Sequence, residues 1–285
     1  MDSFNIITCI LNIVHNHTRG LDQAANTHNR LHAMGEPFEA YIKDAFSGAM
    51  GSSDAEKKRK YNETFSYGGN THNPPDAILK NGAAIEIKKV ESIGSIPLNS
   101  SYPKSKLYRT DPRISSHCRT IEGGTWESKD IIYAIGCVKK DGSNNLNSLA
   151  LIYGSIYCAD KECYERLFNT VKQKIGEAPL SFTETNELAH INSVDPLGIT
   201  YFRARGMWGI SHPFNVFDYI HHYNSNSQFE LMAIIPLDIF NSFNNKDILI
   251  RESQENPHLK ISDSQVTDPN NTANMINIKL ITYVV

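Results

Sequence analysis

A chain of 285 residues can bury one large core, and no apolar run in it approaches the ~20 residues that a bilayer-spanning helix needs. The cysteines Cys9, Cys118, Cys137, Cys158 and Cys163 are odd in number and scattered. That pattern points to reduced thiols in a cytoplasm, against a disulfide framework, and lacks zinc-finger spacing. The net charge of −3 hides an asymmetry, because residues 57–119 hold twelve Lys or Arg against five acids, a balance of +7 that leaves −10 elsewhere. A basic block of this kind either attracts a polyanion or is an ordinary solvated face.

In chain order, Phe4 to Val14 reads as an amphipathic helix with Ile6, Ile7, Ile10, Leu11 and Val14 on one side and Asp2 or Ser3 as its cap. It lacks the basic leader and small-residue cleavage site of a signal peptide. Residues 15–33 are polar and suggest a loop with a short helix. Gly35-Glu36-Pro37 opens a firmer helix through Phe46, since proline is tolerated in a first helical turn. Its stripe is Phe38, Tyr41, Ile42, Ala45 and Phe46, and Ser47-Gly48 ends it. Residues 48–60 read as a loop closed by Glu-Lys-Lys-Arg-Lys, Glu63 to Tyr67 as a strand, and 68–74 as a second loop.

Pro74-Pro75 then forces an extended approach to a hairpin, whose arms meet at a two-residue Asn81-Gly82 turn able to supply positive φ. Side chains alternate on the second arm, so Ala84, Glu86 and Lys88 share one face while Ile85, Ile87 and Lys89 share the other. Asp76, at the mouth of the first arm, can lie beside Glu86. Two carboxylates next to a lysine suit Mg²⁺, which keeps several waters and accepts phosphate oxygens as further ligands. The same residues could also be the solvated charges of a plain surface hairpin. Pro75-Asp76, nine intervening residues and Glu86-Ile87-Lys88 resemble the PD-(D/E)XK nucleases. In that class a glutamate on the preceding helix often joins the metal site, which singles out Glu39 ahead of Glu36. Glu39 could equally be a first-turn acid favoured by the helix dipole.

Residues 91–128 mix hydroxyls and amides with Lys104, Lys106, Arg109, Arg113 and Arg119, the groups that contact phosphates and base edges, although a solvated insertion has the same composition. Asp130 to Val138 and Ser148 to Tyr157 are apolar runs that fit central strands covered on both faces, split by Lys139-Lys140-Asp141-Gly142. A helix over 161–175 follows with Cys163, Leu167, Phe168, Val171 and Ile175 as its stripe. Within Ile199 to Ile210, Arg203 and Arg205 leave one face of a strand. A β-ribbon can place such arginines against guanine in the major groove, or the pair can stack near Trp208 and bind carboxylates. Pro213 to Tyr223 looks helical, Phe229 to Pro236 is an apolar strand, and Lys279 to Val285 closes the chain as another. The pattern predicts an α/β (α+β) fold, one mixed sheet flanked by helices, and the nuclease resemblance implies that this is a PD-(D/E)XK restriction-endonuclease-like core with DNA-binding insertions. We expect a single domain over 1–285, its catalytic core spanning about 30–176 and residues 177–285 adding DNA contacts and dimer or core packing.

Several stretches together look like the NgoPII-type type II restriction endonucleases. They are Met34-Gly35 with Glu39 to Asp44, Phe65-Ser66-Tyr67, Asn73 to Ala77, Ala84 to Lys89, Leu98 to Leu107, Lys129 to Tyr133, and Val194 through Ile210. The likeness is less clear in the last sixty residues. The resemblance implies a Mg²⁺-dependent homodimer that cuts double-stranded DNA at a palindrome, GGCC, leaving 5′-phosphate and 3′-hydroxyl ends. It assigns Asp76 and Glu86 to the metal and Lys88 to the attacking water. Lys104, Lys106, Arg109, Arg113, Arg203 and Arg205 are the candidate DNA contacts, and neither a membrane nor an organic cofactor is expected. A structure-selective repair or recombination nuclease of the same fold, or a catalytically idle DNA-binding module, is the alternative.

Overall fold

The computed structural model describes residues 4–16, 19–21, 37–138 and 143–285. The cap expected at Asp2 or Ser3, most of the loop and short helix expected over 15–33, Glu36, and the polar break at 139–142 lie outside them.

Central strands form where the sequence is continuously apolar. β6 (Ser128–Val138), β7 (Leu146–Tyr153) and β11 (Glu230–Pro236) bury nearly every side chain, as strands covered on both faces must. Among the described residues the main sheet has nine strands. Its path runs β1 (Phe65–Tyr67), β2 (Ala77–Leu79), β3 (Ala84–Val90), β6, β7, β11, β13 (Asn271–Val284), β12 (Leu259–Asp268), with β5 (Lys106–Tyr108) also on β6. β3 lies parallel to β6 and β7 parallel to β11, while the other neighbours are antiparallel, so the sheet is mixed as expected. Residues 230–284 thus supply three strands to it.

α1 (Ile6–Asn16) buries Ile6, Ile7, Ile10, Ile13 and Val14, and α2 (Pro37–Ser47) buries all five residues of its expected stripe. The Phe38 ring lies over Gly136 of β6, which fixes α2 across the sheet and places its first turn near the hairpin.

Elsewhere the structure departs from the sequence expectation. Residues 54–64, read as loop and strand start, form α3 (Asp54–Thr64), a polar helix laced by Glu56–Lys60 and Arg59–Glu63 pairs that buries only Lys57 and Thr64. The hairpin turn spans three residues, because Leu79 faces Ala83 with their backbones bonded at 3.0 Å; Asn81 takes the positive φ of 52° and Gly82 does not. The run expected to stay extended to Tyr157 turns helical after Tyr153. A Cβ at Gly154 would lie 2.5 Å from the Lys104 carbonyl oxygen, so glycine lets the 104–105 backbone close onto the end of β7.

The stretch 199–210 is two strands in two small sheets. β9 (Phe202–Ala204) pairs with β8 (Ala189–Ile191), and β10 (Trp208–Ser211) pairs with β4 (Ser95–Asn99). The second pairing draws 199–211 onto the basic insertion. The helix expected over 213–223 is one turn, Pro213–Val216, followed by turns. The helix at Lys161–Gly176 forms, but it buries none of its residues and leaves Leu167 56% exposed, so its apolar stripe does not serve the core.

Candidate active site

Asp76 sits immediately before β2, where the edge of the hairpin grips it. Its amide donates to Ile85 O at 3.1 Å, and its Oδ2 accepts from the Ile87 amide at 2.6 Å. Glu86 and Lys88 flank Ile87 on β3, project to one face as alternation requires, and meet there, with Lys88 Nζ 2.6 Å from Glu86 Oε1. The three-residue turn sets Ala77 opposite Ile85, one residue off the register that a two-residue turn would give, and this register brings Asp76 beside Glu86 and Lys88.

The three charges act on one another. Burial and then the neighbouring Glu86 carboxylate push Asp76 up to about 7, with Lys88 and the Ile87 amide pulling the other way and Glu39 adding a further push. Burial opposes the charged form of Lys88, but Glu86 and Asp76 outweigh it and hold the ammonium above the usual lysine range. Glu39, in the first turn of α2, thus acts on both groups. Its own carboxylate accepts from Lys43 Nζ at 2.5 Å.

Among the described residues no three His, Cys, Asp or Glu side chains form a ready metal cage. Asp76 and Glu86 nonetheless fit a hard divalent cation. Mg²⁺ commonly binds through one or two carboxylates, keeping waters and taking phosphate oxygens for its remaining positions. A half-buried pair of like charges, one driven toward protonation, is the electrostatic problem such a cation relieves.

The expected DNA contacts divide. Lys106 on β5 is half exposed, loosely paired with Asp130 at 3.7 Å, and Arg109 is exposed. Lys104 corrects the expectation: its side chain is only 7% exposed, bonded to Ser101 Oγ at 2.7 Å and paired with Asp111 at 3.7 Å, so it buttresses the insertion from within. Arg113 lies over the Tyr102 ring at 4.1 Å and binds Asp111 Oδ1 at 3.1 Å. Arg203 and Arg205 do share a face, and both are held by Glu187, at 2.6–2.8 Å and 2.6 Å. Arg205, Glu187, Arg113, Tyr102 and Trp208 line a cleft of about 440 Å³ between the insertion and the 186–208 arm. Sequence reasoning missed Glu187, which carries no local signal, and Lys43, whose spacing four residues after Glu39 was visible in α2.

The NgoPII restriction endonuclease family model matches residues 4–267. The type II restriction enzyme NgoPII of Neisseria gonorrhoeae is 46% identical over 281 residues, 98% of this chain and 99% of that relative. The likeness therefore runs through the C-terminal region, beyond where the motifs alone carried it. No solved structure matches. With the family model matching most of its length and a relative 46% identical across 98% of it, the chain belongs to the NgoPII restriction endonuclease family.

Proposed function

We propose that this protein hydrolyses both strands of double-stranded DNA at the palindrome GGCC, as a Mg²⁺-dependent homodimer in the cytoplasm. The observation that carries the reading is the Asp76–Glu86 pair with Lys88 on the same hairpin face. Asp76 and Glu86 would hold the ion, with Glu39 the nearby third carboxylate. A bound Mg²⁺ supplies Lewis-acid polarisation of the scissile phosphate. Lys88, kept charged by its two acidic neighbours, acts as cation and hydrogen-bond donor and not as a base: it orients the attacking water and offsets charge building on the phosphate. Water oxygen adds to phosphorus as the P–O3′ bond breaks; the attacking water releases one proton to solvent and the departing O3′ takes one from solvent, so the ends are a 5′-phosphate and a 3′-hydroxyl.

Lys106, Arg109 and Arg113 face the backbone in this reading, and residues 177–285 add Arg203 and Arg205. Those two guanidiniums, oriented by Glu187 beside the cleft, suit guanine O6 and N7. Each chain carries one such site, so a palindrome cut in both strands calls for two copies related by the dyad of the DNA. Digestion of a mapped plasmid with Mg²⁺, followed by end sequencing, tests the target, the ends and the metal together. Asp76→Ala and Glu86→Ala should each lower cleavage by roughly 10²–10³-fold or more while sparing DNA binding. Wild-type cutting by either variant refutes the site.

A further inference from the structure

Lys43 is a buried cation that the mechanism above does not use. From α2 it donates to Glu39 Oε1 at 2.5 Å and, in the other direction, to the Gly68 carbonyl oxygen at 2.7 Å. The next residue, Gly69, adopts φ +84° and lies so close behind the hairpin that a Cβ there would stand 2.3 Å from Asp76 O and 2.9 Å from its carbonyl carbon. Asp76 is therefore held from two sides. β3 grips it through Ile85 O and the Ile87 amide, and the 68–69 turn backs its main chain. The far end of that loop is tied separately, by Asn73 Nδ2 to Arg113 O at 2.7 Å.

We propose that Lys43 is a positioning residue of the active site: by binding Glu39 and Gly68 O at once, it fastens the 68–69 turn to α2 and presses it against Asp76, fixing where that carboxylate meets the metal. The ammonium ties two pieces of chain that are distant in sequence, α2 and the 68–69 turn, and its charge offsets Glu39 next to two other carboxylates. Arginine could keep both bonds; methionine could fill the space and make neither. The inference rests on the assignment of Asp76 to the metal.

The test compares Lys43→Met, Lys43→Arg and Gly69→Ala with wild type, all well below their melting temperatures. Exchange of the Ile87 amide, whose acceptor is Asp76 Oδ2, reports the hold on Asp76 without any metal. In Lys43→Met this amide should exchange faster while Ile234, central in β11, stays unchanged. The Mg²⁺ concentration for half-maximal cleavage should rise, or kcat fall, by roughly 10- to 100-fold with KM for DNA little altered. Lys43→Arg should recover much of the loss, and Gly69→Ala should reproduce it without adding to it in the double variant. Unchanged Ile87 exchange and Mg²⁺ dependence in Lys43→Met would overturn the proposal, as would equal acceleration at Ile87 and Ile234 with normal Mg²⁺ dependence, the mark of a merely structural lysine. Wild-type cutting by Asp76→Ala would instead remove the metal assignment beneath it, whatever Ile87 shows.

Discussion

At the scale of single residues, Asp76 makes the metal-free protein pay for readiness. Its folded value of about 7 lies above the ordinary 3.8, so between these values the native state binds more protons than the unfolded chain. Stability therefore falls as pH rises from about 4 through 7, and the whole penalty is present above that window. Asp76→Asn removes it. In EDTA the variant should match or trail wild type near pH 4 and exceed it near pH 7.5, by on the order of 1–2 kcal/mol in denaturant titrations. A constant difference across that range would mean that Asp76 is not perturbed. The three motif residues were legible in sequence because strand alternation alone fixes that Glu86 and Lys88 share a face, and a tight turn brings Asp76 back to them. Glu187 was not legible, since its pairing with Arg203 and Arg205 depends on β8 and β9 meeting outside the main sheet. Lys104 misled because composition shows a cation but not which side of the insertion it occupies.

At the scale of elements, continuous apolar runs announced β6, β7 and β11, and 3.6-residue periodicity announced α1 and α2. α3 escaped because a helix lying on the surface needs little apolar stripe. Its attachment is polar: the Lys57 ammonium reaches inward to Asp44 Oδ2, both side chains buried, and Tyr61 OH donates to Asp44 Oδ1 at 2.7 Å. β12 and the first half of β13 escaped for a related reason, as they bury few side chains and leave no pattern. The Asp44–Lys57 pair gives α3 a sharp test. Asp44→Ala leaves the Lys57 charge buried without its carboxylate and should destabilise the fold by about 3–5 kcal/mol, whereas replacing both residues by apolar ones of similar volume should recover much of that. Equilibrium unfolding of the single and double variants decides it, and a loss below about 1 kcal/mol for Asp44→Ala would show that the pair is not anchoring the helix.

At the scale of the whole molecule, the surplus of +7 over residues 57–119 overstates the charge that DNA can meet. Folding turns Lys57 and Lys104 inward, engages Lys88 with Glu86, and sets Arg113 on Asp111, while Arg119 caps the backbone oxygens of Arg109 and Asp111. Lys106 and Arg109 remain at the surface. Electrostatic affinity for DNA arises from counterions released as phosphates are neutralised, so it depends on presented cations and not on their tally in the sequence. Lys106→Ala and Arg109→Ala should each weaken binding across all sequences and flatten the plot of log affinity against log salt by about 0.9 for every phosphate contact removed. Arg203→Ala and Arg205→Ala belong to a different class. Guanidiniums that read guanine should mainly erode the preference for the cognate site, each by about 1–3 kcal/mol, and leave the salt slope nearly unchanged. Binding titrations at several salt concentrations, with cognate and scrambled duplexes, separate the two behaviours; a flattened slope without loss of preference in the Arg203 and Arg205 variants would move that pair from the bases to the backbone.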